Sequence, residues 1–139
     1  MKIGVIGCGG MGTTHYLSLR ALSEQEGVEV TCLSDCRKEF LDKAAAYFPN
    51  ARTYEYGMDL IKNEDLDIVH ICLPSYLHAG HAVAALEKGM NVFVEKPVCL
   101  TEEDCQTLLE AEKRTGKKVM VGQVVRSFEE YKFLKEDDK

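Results

Sequence analysis

The sequence predicts an α/β protein with one doubly wound parallel sheet of about six strands. Short apolar runs rich in Val and Ile, too short for buried helices, alternate with segments of helical period along the 139 residues. This alternation is typical of parallel strands joined by crossover helices. The length allows one compact domain, and 45% hydrophobic with 29% charged residues is the composition of an ordinary folded protein.

Each predicted strand is a short apolar segment bounded by turn residues or charges. Right-handed crossovers bring the carboxyl ends of such strands to one edge of the sheet, and ligands of this fold bind beyond that edge. Functional residues are therefore expected in the turns after the strands. The predicted strands are Lys2 to Ile6, Val28 to Ser34, Arg52 to Tyr54, Asp67 to Leu73, Asn91 to Glu95 and Lys118 to Gly122.

A stripe of apolar residues marks each of four helices between these strands. In the third helix, Ala79, Ala82 and Leu86 share one face at i, i+3 and i+7, and Gly89 follows as a C-terminal cap. Such stripes bury one side of a helix against the sheet. The predicted helices are Met11 to Leu22, Arg37 to Phe48, Tyr76 to Lys88 and Glu102 to Thr115.

The fourth helix carries signals for both of its ends. Thr101 followed by Asp104 resembles a capping box with Asp in place of Glu. Lys113 and Arg114 complement the negative end of the helix dipole, and Gly116 supplies the residue that ends the helix. Both limits of this helix are therefore predicted from local chemistry alone.

The first strand runs directly into a turn with the pattern G-x-G-x-x-G. Gly7 allows a tight turn, Gly9 lets the backbone approach a diphosphate, and Gly12 lets the next helix pack closely on the strand. Amide groups at the start of that helix then form an anion site that needs no lysine. The alternatives are a flexible turn and the S-adenosylmethionine site of a methyltransferase. We predict a dinucleotide site at Gly7, Gly9, Gly10, Met11 and Gly12.

An acidic residue at the end of the second strand indicates which dinucleotide binds. Asp35 lies 23 residues after Gly12, close to the spacing at which a carboxylate accepts from the 2′-hydroxyl of an adenosine ribose. This carboxylate would repel a 2′-phosphate, which favours NAD. Arg37, two residues later, could stack on adenine or pair with a phosphate, so NADP stays an alternative. Asp35 as the N-cap of the second helix is the structural alternative.

Composition excludes several function classes. The net charge of −6 and the absence of a basic cluster argue against nucleic acid. No apolar run approaches the ~20 residues of a membrane span, and the N-terminus has no room for a secretory signal, so a cytoplasmic protein is expected. The six cysteines include no C-x-x-C pair. We expect free thiols and no metal site.

Five segments together resemble the nucleotide-binding half of the glucose-fructose oxidoreductase, inositol dehydrogenase and MocA family. They are the glycine turn, Asp35, the segment from Pro74 to His78, Glu95-Lys96-Pro97, and the stretch from Gly122 to Arg126. The Glu-Lys-Pro run after a strand is the most specific of them. The resemblance covers almost all of the chain and implies a Rossmann fold over residues 1–126. The high share of charged residues in the tail predicts a charged helix over residues 127–139.

The resemblance also implies an activity and its residues. It implies an NAD(P)-dependent oxidoreductase that transfers a hydride between the nicotinamide and a sugar, polyol or related alcohol. Lys96 would lie beside the nicotinamide and the substrate hydroxyl as the catalytic cation, and Glu95 would orient it. The other cofactor residues that the resemblance implies are Leu73 and Pro74 through their backbone, His78 and Gln123.

The chain departs from the family in two places. It has Leu73-Pro74-Ser75 where the family often has Thr-Pro-Asn, which removes the contact commonly made by the asparagine. The second α/β domain of the family, with the substrate pocket, does not appear after Arg126. The chain is therefore expected to be the cofactor half of an oxidoreductase, inactive alone and weakly self-associating; a stand-alone NAD(P)-binding module with a sensing role is the alternative.

Three histidines receive structural interpretations. His70 lies inside an apolar strand and is expected to be a hydrogen-bonded residue of the sheet. His15 and His81 lie within helices and are expected to be packing or surface residues. Only His78 is therefore assigned to the cofactor site.

Overall fold

A computed structural model of the chain describes residues 1–23, 27–94 and 100–121. These residues form one parallel sheet of six strands in the order β3-β2-β1-β4-β5-β6, with five α-helices and one short 3₁₀ helix. The predicted fold class, a doubly wound parallel sheet, is confirmed. The proposed helix at residues 127–139 lies outside the described residues.

The strand bounds lie close to those predicted, and the strands are shorter where an apolar run continues into a loop. The strands are β1 Lys2–Ile6, β2 Glu29–Ser34, β3 Arg52–Tyr54, β4 Ile68–Ile71, β5 Asn91–Val94 and β6 Val119–Val121. The helices are α1 Gly10–Leu22, α2 Lys38–Ala45, α3 Gly57–Asn63, α4 His78–Lys88 and α5 Glu102–Thr115, with the 3₁₀ helix at Ser75–Leu77.

The strand order reverses direction at the centre of the sheet. β1 pairs with β2 on one side and with β4 on the other, and every pairing is parallel. The chain therefore moves outward through β2 and β3, crosses back over the sheet, and moves outward again through β4, β5 and β6. This crossing leaves a crevice between the loops that follow β1 and β4, where sheets of this kind bind ligands.

Two apolar cores cover the two faces of the sheet. Along β1, Ile3 and Val5 belong to the core with α1 and α2, and Ile6 belongs to the core with α3, α4 and α5. Alternation of side chains along a strand produces this division. Helices on both faces explain why the central strands are apolar throughout.

One helix was absent from the sequence prediction. α3 has only seven residues, and its buried side chains are Leu60 and Ile61. Two adjacent apolar residues set no helical period, so the pattern does not reveal such a short helix. The third predicted helix, by contrast, divides into the 3₁₀ helix and α4.

The helix caps follow the predicted chemistry. The side chain of Thr101 accepts a hydrogen bond from the backbone N–H of Asp104 at 3.1 Å. Gly89 and Gly116 end α4 and α5 with φ of +95° and +74°, the left-handed region that glycine adopts without a Cβ penalty. These caps are confirmed.

The edge strand β3 is tied to the end of α3 by a buried carboxylate. Glu64 is buried, and the guanidinium of Arg52 donates to both of its carboxylate oxygens. The hydroxyl of Tyr54 donates to the same carboxylate. These hydrogen bonds, of which those from Arg52 have the largest effect, hold the pKa of Glu64 below its usual value. The stability that the cluster contributes is therefore lost as the pH falls through this lowered pKa.

His70 and His15 form a buried pair between β4 and α1. Both are fully buried, and their Nδ1 atoms lie 2.8 Å apart, so one imidazole donates and the other accepts. The ring of His70 also stacks on Phe93 with centroids 5.0 Å apart. Burial, with the neighbouring His15, lowers the pKa of His70 well below its usual value. The prediction of a hydrogen-bonded sheet histidine is confirmed.

The cysteine prediction is wrong at one position. Cys8, Cys32, Cys36 and Cys72 are not in disulfides, but Cys105 is disulfide-bonded. The missing C-x-x-C pair did not exclude this bond, because a disulfide requires closeness in space rather than a particular spacing.

In the described ranges no helix could span a membrane, and no group of three or more metal-ligating side chains occurs.

We predict that Tyr16→Phe leaves the protein at least as stable as the parent. Tyr16 is fully buried, and its hydroxyl has no hydrogen-bond partner within the described residues. Removing an unsatisfied buried hydroxyl should raise the free energy of unfolding by about 1 kcal/mol. Tyr54→Phe is the matched control, since it removes a hydroxyl that donates to Glu64 and should cost about 1–2 kcal/mol. Urea unfolding measures both, and a free energy of unfolding of Tyr16→Phe below that of the parent would contradict the prediction.

Candidate functional site

A cleft of about 690 Å³ lies at the carboxyl edge of the sheet, where the loops after β1, β2 and β4 meet. It lies at the crevice that the strand order creates. Most of the predicted cofactor residues of the described chain line it. The lining residues are Gly7, Gly9, Gly10, Asp35, Cys36, Arg37, Phe40, Cys72, Leu73, Pro74, Ser75, Tyr76, Leu77 and His78.

The glycine turn has little space for a side chain at three of its four glycines, and only Gly10 faces open space. Gly7 has φ of +94°, and a Cβ there would lie 2.6 Å from the carbonyl oxygen of Cys72. A Cβ on Gly12 would lie only 1.8 Å from the carbonyl oxygen of Gly7. The roles predicted for Gly7 and Gly12, a tight turn and close packing of helix on strand, therefore match the geometry. At Gly9, a Cβ would meet the ring of Phe40 at 3.0 Å.

α1 begins in this turn without a side-chain cap. Its N-cap residue is Gly9, which has no side chain to accept from the first amide groups. The first turn of α1 also contains no acidic residue. The amide groups and the positive end of the helix dipole are therefore available to an anion in the cleft. A diphosphate fits this chemistry, because it supplies acceptor oxygens and negative charge together.

Asp35 joins the end of β2 to the glycine turn. One carboxylate oxygen accepts from the backbone N–H of Cys8 at 2.8 Å, and the other accepts from the backbone N–H of Arg37 at 2.7 Å. A carboxylate has about four acceptor positions, so these two bonds hold it in place and leave capacity for a ligand hydroxyl. The alternative of Asp35 as the helix N-cap is wrong, because α2 begins at Lys38 and its N-cap is Arg37.

Arg37 lies on the outer wall of the cleft. Its guanidinium carbon is 5.5 Å from the ring centroid of Phe40, which also packs against Gly9. The planar guanidinium is therefore held over an aromatic ring at the mouth of the cleft. Phe40 was not among the sequence-predicted site residues, and its place in the apolar stripe of α2 hid this second contact.

The loop after β4 forms the opposite wall. His78 is buried, and its Nε2 lies 2.6 Å from the carbonyl oxygen of Leu73, so this histidine closes the loop on itself. Leu73 and Pro74 are thereby held against the cleft, and Tyr76 extends into solvent with 73% of its surface exposed. Tyr76 was not among the sequence-predicted site residues, because its exposure and its place in the cleft wall are visible only in the structure.

A second, apolar pocket of about 330 Å³ adjoins the cleft. We call it the side pocket. Asp35, Cys36, Leu73 and Leu77 line both spaces, so the side pocket adjoins the cleft at the Asp35 end. α3, the helix absent from the prediction, supplies much of its wall. The residues that line only the side pocket are Ser34, Glu55, Tyr56, Gly57, Met58 and His81.

Three predicted site residues lie outside the described chain. Glu95 and Lys96 follow directly after β5, and Gln123 follows shortly after β6. Their roles stay predictions. The side chain of Met11 is also outside the described part, although its backbone belongs to the first turn of α1.

Comparisons with known proteins show which family this chain is similar to. A profile of the GFO_IDH_MocA oxidoreductase family, described as an NAD-binding Rossmann fold, matches residues 1–123. Inositol 2-dehydrogenase of Salmonella typhimurium is 38% identical over 125 residues, which are 86% of this chain and 35% of that protein. The chain therefore spans about a third of the length of this relative.

Two solved structures show the same fold with a dinucleotide bound. The WlbA dehydrogenase of Chromobacterium violaceum, in complex with NADH and UDP-GlcNAcA, has a TM-score of 0.79 at 26% identity and matches 87% of this chain and 34% of its own. The scyllo-inositol dehydrogenase of Lactobacillus casei, with bound NAD(H) and scyllo-inositol, has a TM-score of 0.79 at 25% identity. The match covers 88% of this chain and 36% of that dehydrogenase.

We predict that Gly12→Ala destabilises the protein by more than about 2 kcal/mol. The added Cβ would overlap the carbonyl oxygen of Gly7, so the glycine turn or α1 must move. Gly80→Ala is the matched control: Gly80 lies inside α4 with no atom within 4 Å of an added Cβ, and it should gain up to about 1 kcal/mol of helix propensity. Urea unfolding of both variants gives the comparison, and equal stabilities would contradict the overlap.

Proposed function

The chain belongs to the GFO_IDH_MocA oxidoreductase family, with its NAD-binding Rossmann fold, and we propose that it forms the cofactor half of a sugar or polyol dehydrogenase. The reaction is the transfer of a hydride between the nicotinamide of NAD and the hydroxyl-bearing carbon of the substrate. The observation that supports this proposal most directly is the common cleft shared by the uncapped start of α1 and the Asp35 carboxylate.

The residues of the cleft fit the parts of a dinucleotide. The first amide groups of α1 bind the diphosphate, and Gly9 and Gly10 leave the backbone open to it. Asp35 accepts from the adenosine ribose with the acceptor capacity that Cys8 and Arg37 leave free. The same negative charge disfavours a 2′-phosphate, so NAD is preferred over NADP.

Lys96 is proposed as the catalytic residue. When NAD is bound, its nicotinamide supplies the hydride chemistry. A protonated Lys96 beside the substrate hydroxyl would lower the pKa of that hydroxyl. In the alternative, a Lys96 whose own pKa is depressed would be a neutral amine, and its Nζ would accept the hydroxyl proton. Glu95 orients Lys96 through their opposite charges, and Gln123 contributes to the nicotinamide end. This assignment is supported by the Glu95-Lys96-Pro97 run directly after β5.

The substrate class is proposed from the relatives. They include inositol 2-dehydrogenases of several bacteria and a chlorinated dihydroxycyclohexadiene dehydrogenase of Comamonas testosteroni. Their substrates, as their names describe them, carry hydroxyl groups on a six-membered carbon ring. A cyclic polyol or a sugar is therefore the proposed substrate class. Because the chain spans about a third of these relatives, the substrate pocket is assigned to the sequence that they have in addition.

We predict that the 139-residue chain binds NAD and that Asp35→Ser weakens this binding at least tenfold. Loss of the carboxylate removes a charge-assisted hydrogen bond to the ribose, worth about 1.5–3 kcal/mol. The variant should also lose its preference for NAD over NADP. Isothermal titration calorimetry with both dinucleotides provides the measurement.

Asp35→Asn is the control for structure, because the side-chain amide oxygen of this variant can still accept from the backbone N–H of Arg37 or Cys8. Circular dichroism should show that both variants fold. Two results would contradict the proposal: no binding of NAD by the parent chain at millimolar concentration, and a gain in NADP affinity in Asp35→Ser with NAD affinity unchanged.

We also predict that this chain alone does not oxidise polyols at an enzymatic rate. With NAD and myo-inositol, NADH formation should stay far below the ~1 to 10³ per second of typical enzymes. Absorbance at 340 nm gives the rate. Turnover within that range would show that the substrate pocket lies in this chain, and Lys96→Met would then be expected to lower kcat by at least about 100-fold.

A further inference from the structure

The proposed function leaves several polar groups of the side pocket without a role, and the imidazole of His81 is one of them. The side pocket adjoins the Asp35 end of the cleft, where the adenosine ribose is placed, and its volume of about 330 Å³ is in the range of small-ligand sites. Its walls are largely apolar, formed by Tyr56, Met58 and Leu77 among others. A flat aromatic base joined to the ribose therefore fits there.

The imidazole ring of His81 is fixed on the pocket wall. Its Nδ1 lies 3.0 Å from the carbonyl oxygen of Leu77, one turn earlier in the chain. Its other edge packs on Gly57, where an added Cβ would lie 3.1 Å from both Cδ2 and Nε2. The absence of a side chain at Gly57 thus makes the space that the ring occupies, and the two contacts determine its orientation.

These contacts also determine which nitrogen carries the proton. A carbonyl oxygen only accepts, so Nδ1 of His81 donates to Leu77, and Nε2 of the neutral ring is an acceptor. Burial and the neighbouring His78 lower the pKa of His81, although the hydrogen bond to Leu77 acts in the opposite direction. The ring is therefore neutral at pH 7. Among the hydrogen bonds of the described residues, none involves Nε2 of His81.

The remaining polar groups of the pocket are fewer than its apolar ones. The Asp35 carboxylate is already held by two backbone amides and is assigned to the ribose. Ser34 is 1% exposed and lies within β2. Glu55, an exposed residue after β3, is the other acceptor on the wall. His81, whose Nε2 makes no hydrogen bond among the described residues, thus adds a neutral acceptor to a largely apolar pocket.

We propose that Nε2 of His81 accepts a hydrogen bond from the 6-amino group of the adenine base, which makes His81 a specificity-determining residue for a 6-aminopurine dinucleotide. The inference rests on the proposed NAD site. A 6-oxopurine such as hypoxanthine presents an acceptor at the same position, so two lone pairs would face each other. Discrimination of about tenfold follows from one lost hydrogen bond and one unpaired acceptor.

The test is calorimetric titration of the 139-residue chain with NAD and with nicotinamide hypoxanthine dinucleotide. The two differ only in the 6-substituent of the base and its adjacent ring proton. The parent chain should bind NAD about tenfold more tightly. His81→Phe keeps a ring of similar shape without an acceptor, and it should bind the two dinucleotides with equal affinity. Glu55→Gln should keep the tenfold ratio, since the proposal gives Glu55 no part.

A second measurement needs no substitution at His81. In the ¹⁵N-histidine-labelled chain, the Nε2 resonance of His81 should shift when NAD binds and should shift much less with the hypoxanthine dinucleotide. Three results would each overturn the role of His81. The parent could bind the two dinucleotides equally, or the affinity ratio could be lost in Glu55→Gln and kept in His81→Phe. The third result is an Nε2 resonance of His81 that does not shift when NAD binds. A parent chain that binds neither dinucleotide would instead overturn the proposed function itself.

Discussion

The contact between the start of α1 and the turn after β1 is the constraint on which the rest of the site depends. A Cβ on Gly12 would lie 1.8 Å from the carbonyl oxygen of Gly7, so backbone meets backbone where other helices of the protein pack through side chains. This approach directs the first amide groups of α1 into the cleft and leaves them without a side-chain cap. The anion site is thus a consequence of helix packing, and an acidic chain without a basic cluster can still bind a diphosphate.

Asp35 extends that constraint to the neighbouring strand. Its carboxylate accepts from Cys8 in the glycine turn and from Arg37 at the start of α2, so the ends of β1 and β2 are held together by one side chain. His78 has the corresponding role after β4, where it binds the carbonyl oxygen of Leu73. The cleft walls are therefore fixed by hydrogen bonds made before any ligand binds, which reduces the ordering that binding requires.

Much of the site could be predicted because its chemistry is local. The spacing of Gly7, Gly9 and Gly12 after an apolar strand indicates both the turn and the exposed helix start, and Asp35 follows at the end of the next strand. Phe40, Cys36 and the side pocket could not be predicted in this way. Phe40 belongs to an apolar stripe of α2, so in the sequence it cannot be told from a residue that faces the core. Only the packing of α2 brings its ring to Gly9 and Arg37.

The sequence by itself determined the strand and helix alternation, the caps at Thr101, Gly89 and Gly116, and the glycine turn, because each depends on residues within a few positions of one another. Only the tertiary structure decided how distant residues meet. The pairing of His15 with His70 and the place of His81 beside Gly57 follow from the order of strands in the sheet. The tie between Glu64 and Arg52 follows from how α3 packs beside β3. Chain spacing carries no record of such contacts, since crossover connections bring together residues that no local periodicity links.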